Sequence, residues 1–250
     1  MEWFFKPFRA LFKIYFFVVF FGSLMVLYPL FWWLLHDPKR HPQCFAFMKH
    51  WGSFLQLMGG FTLVRHLKEP LPEPPYIVVP NHSSYLDIIL MYNVIPDYFA
   101  FMGKAELNNW PLFGIFFRKK MNISVDRGSR IAAARALVAA NRELDSGHGL
   151  IIFAEGTIPP HAPKLKAFKN GAFKLAIDKQ VPIVPVTFTR NWRLIQSARL
   201  FKGLSGPGFA PVHIHPAVST KGLTEEDLVD LREQVFHTIQ QPLLEHESGR

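Results

Sequence analysis

A mostly apolar run extends from Ile14 to Leu35 (IYFFVVFFGSLMVLYPLFWWLL), 22 residues without a charge. At ~1.5 Å per residue a helix of that length covers roughly 33 Å, about the hydrocarbon thickness of a bilayer. Lys6, Arg9 and Lys13 flank its start, and Trp32 and Trp33 lie near its end, where interfacial aromatics gather. The run is too long for a secretory leader, and no small-x-small cleavage site follows it. A full crossing and a re-entrant insertion bent at Pro29 both fit the pattern. A second apolar stretch, residues 45–64, is broken by Lys49, His50 and Gln56 and weakened by Gly59 and Gly60, which suits a segment lying along the interface. Residues 1–67 therefore read as an N-terminal membrane-embedded helical pair. Residues 68–75 (KEPLPEPP) cannot be helical and read as a Pro-rich linker.

From residue 76 onward, short apolar runs alternate with helical patterns. Residues 76–79 (YIVV), 98–102 (YFAFM), 121–125 (MNISV), 149–154 (GLIIFA), 184–188 and 212–215 predict strands. Residues 83–93, 128–144 and 171–179 predict helices, the second with Ile131, Ala134, Leu137 and Val138 on one face. Thr224 and Asp227 stand at capping-box spacing ahead of a closing helix. This alternation predicts an α/β domain over residues 76–250, with a mixed, largely parallel sheet flanked by helices.

Of 250 residues, 49% are hydrophobic and 19% charged, which excludes a disordered chain. The 25 Phe and a net charge of +9 suit a protein that meets both lipid and anionic groups. The basic residues are dispersed and no nucleic-acid module is present, which speaks against a nucleic-acid partner. The single cysteine, Cys44, excludes a disulfide framework and a cysteine-based metal cluster. His213 and His215 share a strand face but have no evident third ligand, so no metal site is expected.

In a parallel sheet, ligands gather beyond the C-terminal ends of strands. Polar clusters fall at such places here: residues 81–87, Asp126 with Arg127, and Glu155, Gly156 and Thr157. In Asn81-His82-Ser83-Ser84-Tyr85-Leu86-Asp87, a carboxylate just over one helical turn past the imidazole can hold its tautomer and leave the other nitrogen basic. A helix-capping His followed by an unrelated surface Asp has the same spacing, so the pair alone does not specify a function. Ser83 and Ser84 are poor nucleophile candidates, because an adjacent Ser does not readily point at the preceding His. Gly156 permits close backbone approach to a ligand, and Arg127 offers a planar fork suited to phosphate.

Taken in order, the clusters resemble the motifs of the glycerophosphate acyltransferase family, and within it the 1-acylglycerol-3-phosphate (lysophosphatidic acid) acyltransferases. Asn-His-x4-Asp is matched at Asn81, His82 and Asp87. The second motif is matched at Lys104, Glu106, Leu107, Pro111, Gly114 and Arg127, the third at Glu155, Gly156 and Thr157, and the fourth over residues 181–186 (VPIVPV). Ala154, Ile158 and Pro159 depart from the residues usual around the third motif, and Asn122 stands where Gly is common. Lys164, Lys166 and Lys169 lie downstream as substitutes for the missing basic residue.

The resemblance implies transfer of a fatty acyl chain from acyl-CoA or acyl carrier protein to the sn-2 hydroxyl of lysophosphatidic acid, with no covalent intermediate and no cofactor. His82 would be the base and Asp87 its orienter. Asn81, Lys104, Arg127, Glu155, Gly156, Thr157 and Lys169 would bind substrate, and the backbone near Val186 would stabilise the oxyanion. The expected setting is a membrane, with the catalytic domain at its cytoplasmic face.

Overall fold

The computed structural model describes residues 6–126, 128–198 and 203–248. Helix α1 (Lys6–His36) continues through Pro29 without a break, and a short 3-10 turn over Pro38–Arg40 leads into α2 (His41–Met58). The two helices fold back on each other: Trp51 Nε1 donates to Ser23 Oγ at 2.9 Å, and the Tyr15 hydroxyl donates to the Met58 carbonyl at 3.2 Å. The chain therefore reverses at the inter-helix turn and not at Pro29.

The expectation of one interfacial segment over residues 45–64 is corrected by the structure. Helix α2 stops at Met58, Gly60 takes a left-handed φ of 61°, and residues Phe61–Leu67 form strand β1. Strand β1 is then an edge strand of the same sheet as the rest of the protein. Residues 68–75 are irregular and connect β1 to β2 (Ile77–Pro80), two strands of the same sheet.

The remaining elements follow as α3 (Leu86–Val94), β3 (Phe99–Lys104), α4 (Ile115–Arg118), β4 (Ile123–Val125), α5 (Arg130–Asp145) and β5 (Gly149–Ile152). Then come α6 (Gly171–Lys179), β6 (Ile183–Phe188), α7 (Asn191–Leu194), β7 (Gly208–Ile214) and α8 (Leu228–Ser248). Thr224 and Asp227 make the anticipated capping box before α8. Among the described residues the sheet has seven strands in the order β1-β7-β6-β2-β5-β3-β4. All neighbours are parallel except β6 and β7. The sheet is thus mixed and largely parallel.

Successive strand residues alternate between two apolar layers, as the pleat requires. Val78, Phe99, Phe101, Ile151 and Val184 pack with α1, α2 and α3 on one face. Ile77, Ala100, Leu150 and Ile183 pack with α5, α6 and α8 on the other. Burial on both faces explains why these strands read as continuous apolar runs. Helix α5 turns a different side inward from the one expected: Ala136, Ala140 and Leu144 are buried, while Ile131 and Val138 are exposed.

Helix α1 is, among the described residues, the one helix long and apolar enough by length and composition to cross a membrane. It is not free-standing. Phe16, Leu24 and Phe31 are buried against the core, with the Phe31 ring 5.1 Å from that of Phe116. Leu11, Val18, Met25 and Val26 face outward with Leu57 of α2.

Candidate active site

Strands β2, β3, β5 and β6 end on one side of the sheet, and the polar clusters lie there. Asn81 follows β2 and is buried. Its Nδ2 donates to the Phe188 carbonyl at 3.0 Å and its Oδ1 accepts from Phe188 N–H at 2.7 Å. It fastens the ends of β2 and β6 together and does not line the cavity expected to hold substrate.

The chain then turns into α3, placing Asp87 beneath His82. Asp87 is fully buried. Its Oδ2 accepts the backbone N–H groups of Ser83 (2.6 Å) and Ser84 (2.8 Å) and lies 3.2 Å from His82 Nδ1. Its Oδ1 accepts from Asn191 Nδ2 at 2.8 Å and, at the long limit of 3.4 Å, from the Ser83 hydroxyl. These contacts offset removal of the carboxylate from water. A carboxylate beside Nδ1 assigns the imidazole proton to that nitrogen and leaves the Nε2 lone pair open. The imidazole also stacks on Phe153, with centroids 4.0 Å apart at 25°, which fixes the ring plane.

Glu155 takes a place that spacing did not reveal. It is almost wholly buried, with Oε1 accepting the His82 backbone N–H at 2.7 Å and Oε2 accepting that of Lys166 at 2.8 Å. Burial pushes its carboxyl up from 4.5 to about 7, against the opposing pull of those two bonds. With both oxygens committed to backbone, Glu155 is a strut for the turn that carries His82.

A cavity of about 650 Å³ is lined by His82 and by residues of α1, α3 and β3. Its walls are mostly aromatic and aliphatic: Phe16, Phe17, Phe20 and Phe21 from α1, Ile88, Ile89 and Tyr92 from α3, and Phe101 and Met102 from β3. Polar lining comes from His82, Lys104, Glu106, Asn122, Thr157 and Ser197. Gly156 has φ 76°, a left-handed conformation that favours glycine. Asn122, the departure from the common Gly, accepts the Phe101 N–H at 3.0 Å from the cavity wall.

Of the other expected residues, Arg127 lies outside the described residues. Lys164, Lys166 and Lys169 are exposed and are not among the residues lining the cavity. Val186 is fully buried in mid-sheet between β2 and β7, where its carbonyl accepts from Asn81 N–H at 3.2 Å. It is not among the residues lining the cavity. The hydroxyls of Ser83 and Ser84 face Asp87 and the Ile195 carbonyl, and burial pushes the Cys44 thiol up to about 12. None of the three is an activated nucleophile. His215 meets Thr187 at 2.9 Å inside the fold. Sequence reasoning missed Asn191 and Phe153, whose roles come from partners distant along the chain.

A family model described as Acyltransferase matches residues 62–189. The chain belongs to the Acyltransferase family. Within it, the chain is 33% identical over 178 residues to the 1-acyl-sn-glycerol-3-phosphate acyltransferase alpha of Mus musculus, covering 67% of this chain and 58% of that one. It is 30% identical over 186 residues to the 1-acyl-sn-glycerol-3-phosphate acyltransferase of Saccharomyces cerevisiae, covering 72% and 59%. The chain thus spans less than two thirds of the length of these curated relatives. The crystal structure of the 1-acyl-sn-glycerophosphate (LPA) acyltransferase PlsC of Thermotoga maritima superposes with a TM-score of 0.74 at 26% identity, covering 97% of each chain. The acyltransferase architecture therefore extends over nearly the whole chain, including α1 and α2.

Proposed function

We propose that the protein moves a fatty acyl chain from a thioester, acyl-CoA or acyl carrier protein, to the sn-2 hydroxyl of lysophosphatidic acid, giving phosphatidic acid. The observation that carries this reading is the His82–Asp87 pair, with His82 lining an aromatic-walled cavity. His82 Nε2 takes the proton of the acceptor hydroxyl as its oxygen attacks the thioester carbonyl carbon. The new C–O bond forms, the C–S bond breaks, and the imidazolium returns its proton to the departing thiolate. Attack is direct, with no acyl-enzyme. Proton transfer by imidazole and expulsion of a thiolate need no cofactor. The cavity receives the acyl chain, and Lys104, Gly156, Thr157 and Arg127 hold the glycerol phosphate. The outward apolar stripe of α1 and α2 enters a membrane, with the catalytic end at its cytoplasmic face.

Purified protein offered lysophosphatidic acid, glycerol-3-phosphate or other lysolipids, each with acyl-CoA and with acyl carrier protein, tests this. Acylation of lysophosphatidic acid is expected. Faster acylation of another acceptor reassigns the substrate. Binding of anionic lipid with no transfer from any donor overturns the enzymatic reading.

A further inference from the structure

We propose that Asn191 is a positioning residue for acyl transfer, acting through Asp87 to hold the His82 imidazole in its working orientation. The inference rests on the reading of His82 as base and Asp87 as its partner.

The two oxygens of Asp87 have unequal support. Oδ2 has two short backbone bonds and His82 Nδ1, whereas Oδ1 has one short bond, the 2.8 Å contact from Asn191 Nδ2. Carboxylate torsions have broad wells. Without Asn191 the group is free to turn and draw Oδ2 away from Nδ1. Water does not replace the lost donor easily, because Asp87 and Asn191 are both fully buried. A carboxylate can only accept, which assigns the NH₂ of Asn191 to this contact. The opposite atom, Asn191 Oδ1, is buried with no hydrogen-bond partner. Retaining an orphaned acceptor points to the donor as the part the site uses.

The segment bearing Asn191 is itself fixed. Ser84 Oγ donates to the Ile195 carbonyl at 2.6 Å, and Lys13 Nζ of α1 donates to the carbonyls of Gln196 (2.9 Å) and Ala198 (2.8 Å). Residues 191–198 thus join the catalytic turn to α1 while presenting one amide to Asp87. Asn191 does not line the cavity, so it acts on the base through Asp87 and not on substrate.

Asn191→Leu, which keeps the branching without a donor but is larger, and Asn191→Ala, which is smaller, separate donation from packing. Both should lower kcat about 10- to 150-fold, the range for a lost hydrogen bond to a charged group, with KM for thioester and lysophospholipid unchanged. In an Asp87→Asn background the same substitutions should cause no further fall, because the effect passes through Asp87. Should these variants fail to fold, Asn191→Ser and Asn191→Cys differ by one atom in size and donor strength, and Ser should retain the higher kcat. Normal kcat in His82→Ala and Asp87→Asn would sink the underlying reading. If those variants are impaired but Asn191→Leu is not, or the losses add, or Ser and Cys are equal, Asn191 is a packing residue and the proposal falls.

Discussion

Glu155 Oε1 accepts the backbone N–H of His82 at 2.7 Å, while Oε2 accepts the N–H of Lys166 at 2.8 Å. One buried carboxylate thereby connects the turn carrying the proposed base to the loop that follows Gly156 and Thr157. The contact is to backbone, so it sets where His82 stands without touching the imidazole.

This strut makes stability depend on pH. The folded Glu155 holds its proton up to about 7, against 4.5 ordinarily. Below 4.5 both states are protonated. Between 4.5 and about 7 the unfolded chain gives up the proton first, so native stability falls as pH rises through that window. Glu155→Gln loses a backbone acceptor at every pH but does not titrate. Its stability relative to the native protein should therefore climb by about 3 kcal/mol across the window. Denaturant unfolding of both proteins from pH 4.5 to 8 reads this difference directly, and a flat difference would contradict it.

His82→Ala should remove the base and lower kcat by about 10²–10⁴-fold with the fold intact. Asp87→Asn should also be severe, because an amide favours the wrong imidazole tautomer. Single-turnover rates with thermal unfolding as a control check both. A folded His82→Ala protein with near-normal kcat would sink the assignment.

The cavity wall should set which acyl chains are accepted. Ile89 lines it from α3, and Ile89→Trp would fill space that a chain otherwise occupies. Each methylene kept out costs about 0.8 kcal/mol, or about fourfold in affinity, so preference should move to shorter thioesters. Competition between thioesters of graded length measures the shift; an unchanged profile would place the chain elsewhere.

Arg127, known here from its motif position, is expected to hold the acceptor's phosphate. Arg127→Ala should raise KM for the phosphorylated acceptor by about 10- to 150-fold and leave the thioester KM nearly unchanged. Arg127→Lys should recover only part, since a point charge cannot reproduce a two-pronged contact. A rise in the donor KM alone would assign the residue to the other substrate.

The legible parts of the site were local ones. His82 and Asp87 are five residues apart, and the short turn leading into α3 brings them together. Glu155 could be read as a site residue but not as a strut, because its partners are the amides of residues 82 and 166. Asn191 reaches Asp87 across 104 positions, and nothing in its neighbours Trp192 and Arg193 signals that contact. Val186 sat in a recognisable motif, yet an apolar run says that a strand is buried and not which groups its backbone bonds, here Asn81.

The fold shows the same division. Strands buried on both faces announced themselves as apolar runs. Strand β1 did not: Thr62, Arg65 and His66 interrupt it, and its place depends on pairing with β7 from far along the chain. Helix α5 misled through Ile131 and Val138, which are large but exposed, while its buried side is built mainly from alanine. Small side chains let a helix approach a sheet closely, and composition alone ranks them below bulkier neighbours.

Helix α1 serves two environments at once. Met25 and Val26 look outward, whereas Phe16 and Phe20 border the compartment that His82 also lines. Cutting away α1 would also take out one side of the chamber and strip the Lys13 ties from residues 196 and 198. On the proposed function, attachment and catalysis are inherited together in this chain.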